Sequence, residues 1–300
     1  MVLQMMKRHG HRGPSAMAGL FSRMPLHDRE LFLIKRLEVA GEGNGLPSPP
    51  IRSAIHCFIF ITKGEALASI GGESYLFQEN DCAIIPAGQI FSVRYYSRCA
   101  GFMGGFHTDF LNTDTEGSSL LRTFGFLRKW GNHKVHVEPG HGVYILNIFE
   151  RLCAEAGQAK NKYIQKAYLM TLLVELDAIY RQPEEMPETV NIDNELCNRF
   201  VEAVFNHPDM GMTIACYADR LNVTPAHLHK VVKRCTGKTP LAWINEAVTL
   251  EAKALLCHTD KPVNDVASVV GVADPSYFSR FFKRQTGLAP LAYRNEMKNT

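Results

Sequence analysis

The chain spells one short basic helix twice. "AHLHKVVKRCTGKTP" runs from Ala226 to Pro240, and "SYFSRFFKRQTGLAP" from Ser276 to Pro290, with Lys-Arg, Thr-Gly and Pro recurring in step. The residues before each copy match as well. Ile214, Tyr217, Ala218 and Leu221 share their spacing with Val263, Val266, Ala267 and Val270, 49 positions later. Apolar residues at i, i+3, i+4 and i+7 make one short amphipathic helix in each case. Ala218 and Ala267 fall at the same place, where a small side chain lets a second helix approach. Asn222 or Gly271 follows each helix. Both residue types tolerate a left-handed backbone, so the chain can turn sharply. An apolar residue, Val223 or Val272, then plugs the corner. A short helix, a tight turn and a cationic second helix make a helix-turn-helix, whose second helix fits the major groove of DNA.

The second helices carry their own punctuation. Thr224-Pro225 and Asp274-Pro275 are an N-cap followed by a proline suited to the first helical position. The repeat offset grows from 49 to 50 here, so the second unit has one extra turn residue, about Ala273. Leu228, Val231 and Val232 point one way, as do Phe278, Phe281 and Phe282. The opposite stripe is polar: Ala226, His229, Lys230 and Lys233 in the first copy, Ser276, Ser279, Arg280 and Lys283 in the second. Gly237 and Gly287 end the helices as C-caps, with Pro240 and Pro290 beyond. A helix over about Leu241–His258 joins the copies, with Ile244, Ala247, Val248 and Leu255 expected inward. Formal net charge over 300 residues is only +3, but residues 213–300 hold twelve Lys/Arg against seven Asp/Glu. Neither Thr224–Pro240 nor Pro275–Pro290 contains an acid. Charge alone favours two solvated faces; charge on two helix-turn-helix units in fixed register points to a polyanion partner, double-stranded DNA.

The rest of the chain divides by period. Residues 1–25 are aperiodic and rich in Met, Gly and Arg, and read as an arm with solvated His9 and His11. From about Leu31 to Phe110 the pattern is β. Gly71-Gly72 is a hairpin signal, and "DCAIIPAGQIFSVRYY" gives two strands broken at Pro86–Gly88. Short strands at this spacing suggest a sandwich or barrel. Beyond Pro139 the period is helical, over Val143–Ala156 and Lys160–Arg181. In the second helix Ile164, Ala167, Tyr168, Thr171, Leu172, Leu176 and Ile179 make one apolar face, and Met170, Leu173 and Val174 a second. The second face is read either as a dimer contact or as burial within the same chain. "RQPEEMPETVNIDN", Arg181–Asn194, reads as a linker. No apolar run reaches the ~18 residues of a membrane span, and the start of the chain lacks the apolar core of a signal peptide. The eight cysteines are scattered without C-x-x-C. They are expected to be reduced, mostly buried thiols in a cytoplasm.

"GVADPSYFSRFFKRQTGLAPLAYR", Gly271–Arg294, resembles the signature of the AraC/XylS family of bacterial transcription regulators, with Val272 where that pattern usually has Phe. The resemblance is specific over about residues 191–297. It implies that the base-reading side chains lie on the exposed stripes: Ala226, His229 and Lys230, then Ser276, Ser279 and Arg280. Ala226 is too small for a hydrogen bond and at best touches a thymine methyl. Lys233 and Lys283, one turn on, are assigned to phosphate. More weakly, "NDCAIIPAGQIF", Asn80–Phe91, is similar to the second motif of the cupin-like sensor domains that many such regulators carry. Metal cupins place a histidine where this chain has Phe91, no H-x-H precedes it within the β region, and His56, His107, His133 and His136 lack the ligand spacing. His136 and His141 are read as a coincidence around a Pro139-Gly140 loop. No metal, cofactor or catalytic residue is therefore expected. Phe58, Tyr75, Phe77 and Phe91 are candidates for lining a small-molecule pocket, or plain core.

The expected fold is α+β and multidomain. A mobile arm (1–25) precedes a cupin-like sensor β domain (26–139), a helical dimerisation segment (140–181) and a linker (182–192). An all-α DNA-binding domain (193–300) follows, with helix-turn-helix units at 213–236 and 262–286. The expected function is a sequence-specific DNA-binding transcription regulator, an activator, controlled by a small-molecule effector in the β domain. Homodimerisation and contact with RNA polymerase go with that reading; a membrane does not. Two other readings compete. In one the β domain only dimerises or docks a protein; in the other it is a cupin enzyme, against which the missing histidines count.

Overall fold

The structure, a computed structural model, describes residues 31–38, 42–43, 48–111, 121, 123–157, 161–181 and 190–298. The expected arm at 1–25, and positions 182–189 of the expected linker, lie outside them. Among the described residues eight strands form one antiparallel sheet: β1 (Phe32–Glu38), β2 (Glu42–Gly43), β3 (Ile51–Arg52), β4 (His56–Ile70), β5 (Glu73–Phe77), β6 (Asp81–Ile85), β7 (Ile90–Phe106) and β8 (Lys134–His136). The order is β1-β7-β4-β6-β8, with β2 and β3 also paired to β7, and β5 to β4.

The long strands β4 and β7 bend rather than run flat. Their pairing shifts register between Ile61 and Lys63, between Lys63 and Glu65, and between Leu67 and Ala68. Each extra residue unpairs a position and increases the twist. The shift also changes which side chains point in. Ile55, Cys57, Ile59 and Ile61 belong to an inner apolar cluster before the bend, and Ala66, Ala68 and Ile70 after it. Odd positions thus give way to even ones. Gly101, with φ 151°, sits where a Cβ would overlap the Phe60 carbonyl, so the crossing of the two strands needs glycine there.

The outer face is covered by helices. Phe58, Phe60 and Phe102 surround Phe149 of α2 (Pro139–Gly157), after the single turn α1 (Thr108–Leu111). Burial on both faces explains why Cys57–Ile61 is continuously apolar. Helix α2 begins at Pro139, earlier than the periodicity suggests. His141 is therefore helical, which corrects the loop reading. Helix α3 (Lys162–Tyr180) buries Gln165, Leu169, Leu172, Leu173 and Leu176, while Ala167 and Thr171 are exposed. The inward stripe is thus rotated from the expected one. Leu173 and Met170 pack on the chain's own core, and Val174 of the supposed second face stays outward at 47% exposure.

Among the described residues seven helices follow: α4 (Val190–Asn206), α5 (Ile214–Arg220), α6 (Pro225–Thr236), α7 (Pro240–His258), α8 (Val263–Val269), α9 (Pro275–Thr286) and α10 (Pro290–Lys298). One core spans them, from Phe200 and Tyr217 through Trp243 and Val248 to Phe278 and Phe282. Ile244, Ala247 and Val248 of α7 are buried as expected. Leu255 is only partly so, and Leu256 takes the inward place. Among the described residues no helix is long and apolar enough to cross a membrane.

Candidate nucleic-acid interface

The two helix-turn-helix units close by the same backbone bonds. Val223 N–H donates to the Ala218 carbonyl (3.0 Å), and Val272 N–H to that of Ala267 (2.9 Å). Asn222 (φ 58°) and Gly271 (φ 74°) make the left-handed corner. Both alanines are buried at 0% exposure, which is the close helix approach that their size permits. The extra residue of the second unit, Ala273, is exposed in the turn.

The second helices are fixed at both ends. Thr224 accepts from His227 N–H (3.2 Å) to cap α6, and Asp274 from Ser276 N–H (2.8 Å) to cap α9. At the other ends Gly237 (φ 72°) and Gly287 (φ 83°) return N–H bonds to the carbonyls of Lys233 and Lys283. These caps satisfy groups that a helix end leaves orphaned. Leu228, Val231 and Val232 anchor α6, and Phe278, Phe281 and Phe282 anchor α9. The helices are therefore held by one face and free on the other. Ala226, His229, Lys230, Lys233, Ser276, Arg280 and Lys283 are exposed, and Ser279 is half-buried.

Ion pairing sorts the cations of the first unit into two sets, a distinction invisible in the bare charge count. Arg234 pairs with Asp193 of α4. Lys238 sits between Glu73 (2.9 Å) and Glu246 (3.0 Å). Both are thus neutralised locally. Lys230, Lys233, Arg280 and Lys283 make no ion pair with another described residue, so their charge is available to a partner. Arg284 lies over the Phe281 ring at 5.8 Å. Arg294, near the end of the signature stretch, has a structural role: it donates to the carbonyls of Leu256 (3.1 Å) and Lys261 (2.6 Å) and ties α10 to the end of α7. Exposed His227 and Tyr277 flank the stripes. Sequence reasoning left them aside because they lie between the two faces of their helices.

The β domain is joined to the back of this unit. Trp130 Nε1–H donates to Asn198 Oδ1 (2.7 Å), Arg52 pairs with Glu251 and donates to the Phe205 carbonyl (3.2 Å), and His258 Nε2 meets the Pro50 carbonyl (2.7 Å). The histidines considered as ligands are dispersed. His136 bonds Asp81 (2.8 Å), Ala87 N–H donates to His56 Nδ1 (3.2 Å), and His133 is buried elsewhere. Among the described residues no group of three or more His, Cys, Asp or Glu is placed to hold a metal ion. Three of the four aromatics suggested as a pocket share one side of the sheet: Phe77 and Phe91 lie in the inner cluster, and Tyr75 packs against it with its ring stacked on Phe77 at 5.9 Å, whereas Phe58 faces the helices.

Comparison with known proteins agrees with this division. The helix-turn-helix domain family matches residues 217–296, and the AraC-like ligand binding domain family residues 49–173. The lactose operon transcription activator of Staphylococcus xylosus is 25% identical over 252 residues, 81% of this chain and 84% of that one. The transcriptional activator RhaS of Escherichia fergusonii is 26% identical over 287 residues, covering 90% and 96%. The arabinose operon regulatory protein of Escherichia coli is 25% identical over 246 residues, covering 77% of each chain.

Proposed function

The chain belongs to the AraC family of DNA-binding transcription regulators, and on that premise we propose that it reads a two-box DNA site under the control of a small-molecule effector bound by its β domain. It is a regulator and not an enzyme. One observation carries the DNA reading: two matched helices present Lys230, Lys233, Arg280 and Lys283 outward without an ion-pair partner among the described residues, while two other cations of the first unit, Arg234 and Lys238, are neutralised by Asp193, Glu73 and Glu246. Ala226, His229, Lys230, Ser276, Ser279 and Arg280 are assigned to base edges, and Lys233 and Lys283 to phosphate. Helix α7 sets the separation of the two reading helices.

Effector control is supported by the match of residues 49–173 to a ligand-binding family and by relatives named for lactose and arabinose operons. A homodimer is supported by apolar side chains left outward on α2 and α3, among them Tyr144 (66% exposed), Tyr163 (83%) and Val174 (47%). As an activator, the bound protein would contact RNA polymerase. Hydroxyl-radical footprinting on sites selected from random DNA tests the first part. Two protected boxes on one face of the duplex are expected for each protomer. A thermal-shift screen of metabolites tests the second, since a bound effector raises the melting temperature by mass action. A flat response across a broad screen would leave DNA binding intact and remove the effector.

A further inference from the structure

Counted along the chain, the first reading segment is the more basic of the two. Thr224–Pro240 holds four cations, Lys230, Lys233, Arg234 and Lys238, and Pro275–Pro290 holds three, Arg280, Lys283 and Arg284. The structure reverses that order. Asp193, in the first turn of α4, pairs with Arg234, and Glu73 and Glu246 hold Lys238 between them. Seen from a phosphate strand, an arginine and its carboxylate sum to no net charge. Two uncompensated cations therefore remain in the first segment. All three remain in the second, where none pairs with a carboxylate among the described residues.

Arg284 is the residue that this count brings forward. It is the counterpart of Arg234 across the 50-residue offset, and both are exposed. What each touches is different. Arg234 reaches back to α4, whereas Arg284 meets the ring of Phe281 on its own helix, with Cζ 5.8 Å from the centroid. A ring face attracts a guanidinium without cancelling its charge. The neighbouring helix α7 brings Arg284 no carboxylate, because its Glu246 and Glu251 are held by Lys238 and Arg52. Arg284 also stands four residues beyond Arg280, so the two are neighbours one turn apart on α9. A helix seated in the major groove runs between two phosphate strands. A side chain one turn beyond the base-reading position, and displaced toward the flank, meets backbone rather than a base edge. No acid in Pro275–Pro290 repels that phosphate.

We propose that Arg284 joins Lys283 as a phosphate contact, that Asp193 withholds Arg234 from the same role, and that the second unit is in consequence the electrostatic anchor of the chain on DNA. This rests on the DNA reading above. It divides the work between the two units. The second, with three uncompensated cations, makes the larger sequence-independent contribution to binding. The first, with two, adds less of it, so its docking depends more on the bases that it meets. Asp193 is a positioning residue in this scheme: it touches no DNA and acts by keeping one guanidinium away from it.

The test is the salt dependence of DNA binding by the full chain. Fluorescence anisotropy follows binding to a duplex carrying the site selected from random DNA, between about 50 and 200 mM potassium chloride. The logarithm of the association constant is plotted against that of the salt concentration. Each phosphate contact contributes about 0.9 to the steepness of that line, because it releases condensed counterions. Arg284→Gln is expected to reduce the steepness by about 0.9 and to leave preference among single-base variants of the site unchanged. Arg234→Gln should leave the steepness as it is. Asp193→Asn should increase it by about 0.9, since the released Arg234 then stands as Arg284 does in the other unit. A merely structural loss lowers affinity alike at every salt concentration and does not move the slope. Circular dichroism checks each fold, and Arg284→Gln decides alone if a variant at the contact of α4 with α6 unfolds. An unchanged slope in Arg284→Gln, or an equal reduction in Arg234→Gln, overturns the proposal. An unchanged slope in Asp193→Asn overturns the withholding of Arg234. All three outcomes leave the DNA reading standing while the unsubstituted chain binds with a steep salt dependence; binding by that chain that ignores salt overturns the DNA reading itself.

Discussion

Arg280 is exposed on α9 without a carboxylate partner among the described residues, and its neighbours Ser276 and Lys283 face the same way. A guanidinium so placed suits the paired acceptors of guanine. Arg280→Ala should cost about 1–3 kcal/mol of specific DNA binding and relax preference at one base. Competition binding against single-base variants of the site checks this; equal loss on specific and random DNA would make Arg280 a phosphate contact. Gly271 is constrained twice, by its left-handed φ and by the Asp209 carboxylate, which a Cβ would overlap. Gly271→Ala should therefore lower the melting temperature more than the same change at Gly287, where a Cβ meets nothing within 4 Å. Buried His133 predicts a pH response. Its folded pKa of about 4 lies below the ordinary 6.5, so the unfolded chain takes up the proton first. Its contribution is whole above pH 6.5 and is lost as pH falls toward 4, up to about 3 kcal/mol. Melting temperatures over that window should fall, and fall less steeply in His133→Gln.

At the scale of elements, α7 is a spacer. Nineteen residues at the usual rise make it about 28 Å long, of the order of the ~34 Å helical repeat of B-DNA. The two stripes differ in chemistry, so one protomer should read two unlike boxes in adjacent major grooves. Inserting ~5 bp between the boxes should reduce affinity toward the non-specific level, and ~10 bp should not restore it, because a helix does not stretch. Binding that tolerates both insertions would mean that one unit alone docks. These helices were legible from sequence because their signals are local: caps, a left-handed corner and a 3.6 period all lie within about twenty residues. The bends in β4 and β7 were not. A register shift reverses which side chains face inward, so Phe58 and Phe77, alike on paper, end on opposite sides of the sheet. Nor was the sorting of the cations: Glu73 meets Lys238, and Asp193 meets Arg234, over separations that no sequence period reports.

For the whole molecule, the helical core draws, among the described residues, only Ile90 and the partly buried Trp130 from the β domain. A fragment from about Asn191 to Thr300 should accordingly fold alone, with a helical circular dichroism spectrum, and bind the same DNA more weakly, having lost the avidity of the proposed dimer. An unfolded fragment would place the boundary elsewhere. Yet the two halves are not strangers. Arg52 with Glu251, Trp130 with Asn198, His258 with the Pro50 carbonyl and Glu73 with Lys238 tie the β domain to α4, α7 and the end of α6. That seam bears on ancestry. A gene fusion that crosses over between positions 181 and 190 would exchange one half for another in a single event, but it would inherit only one partner of every tie. Such a hybrid keeps its helix-turn-helix units and loses the seam until both sides of it mutate together. Lineages of this architecture should therefore diversify by slow, paired change across the joint rather than by shuffling whole halves.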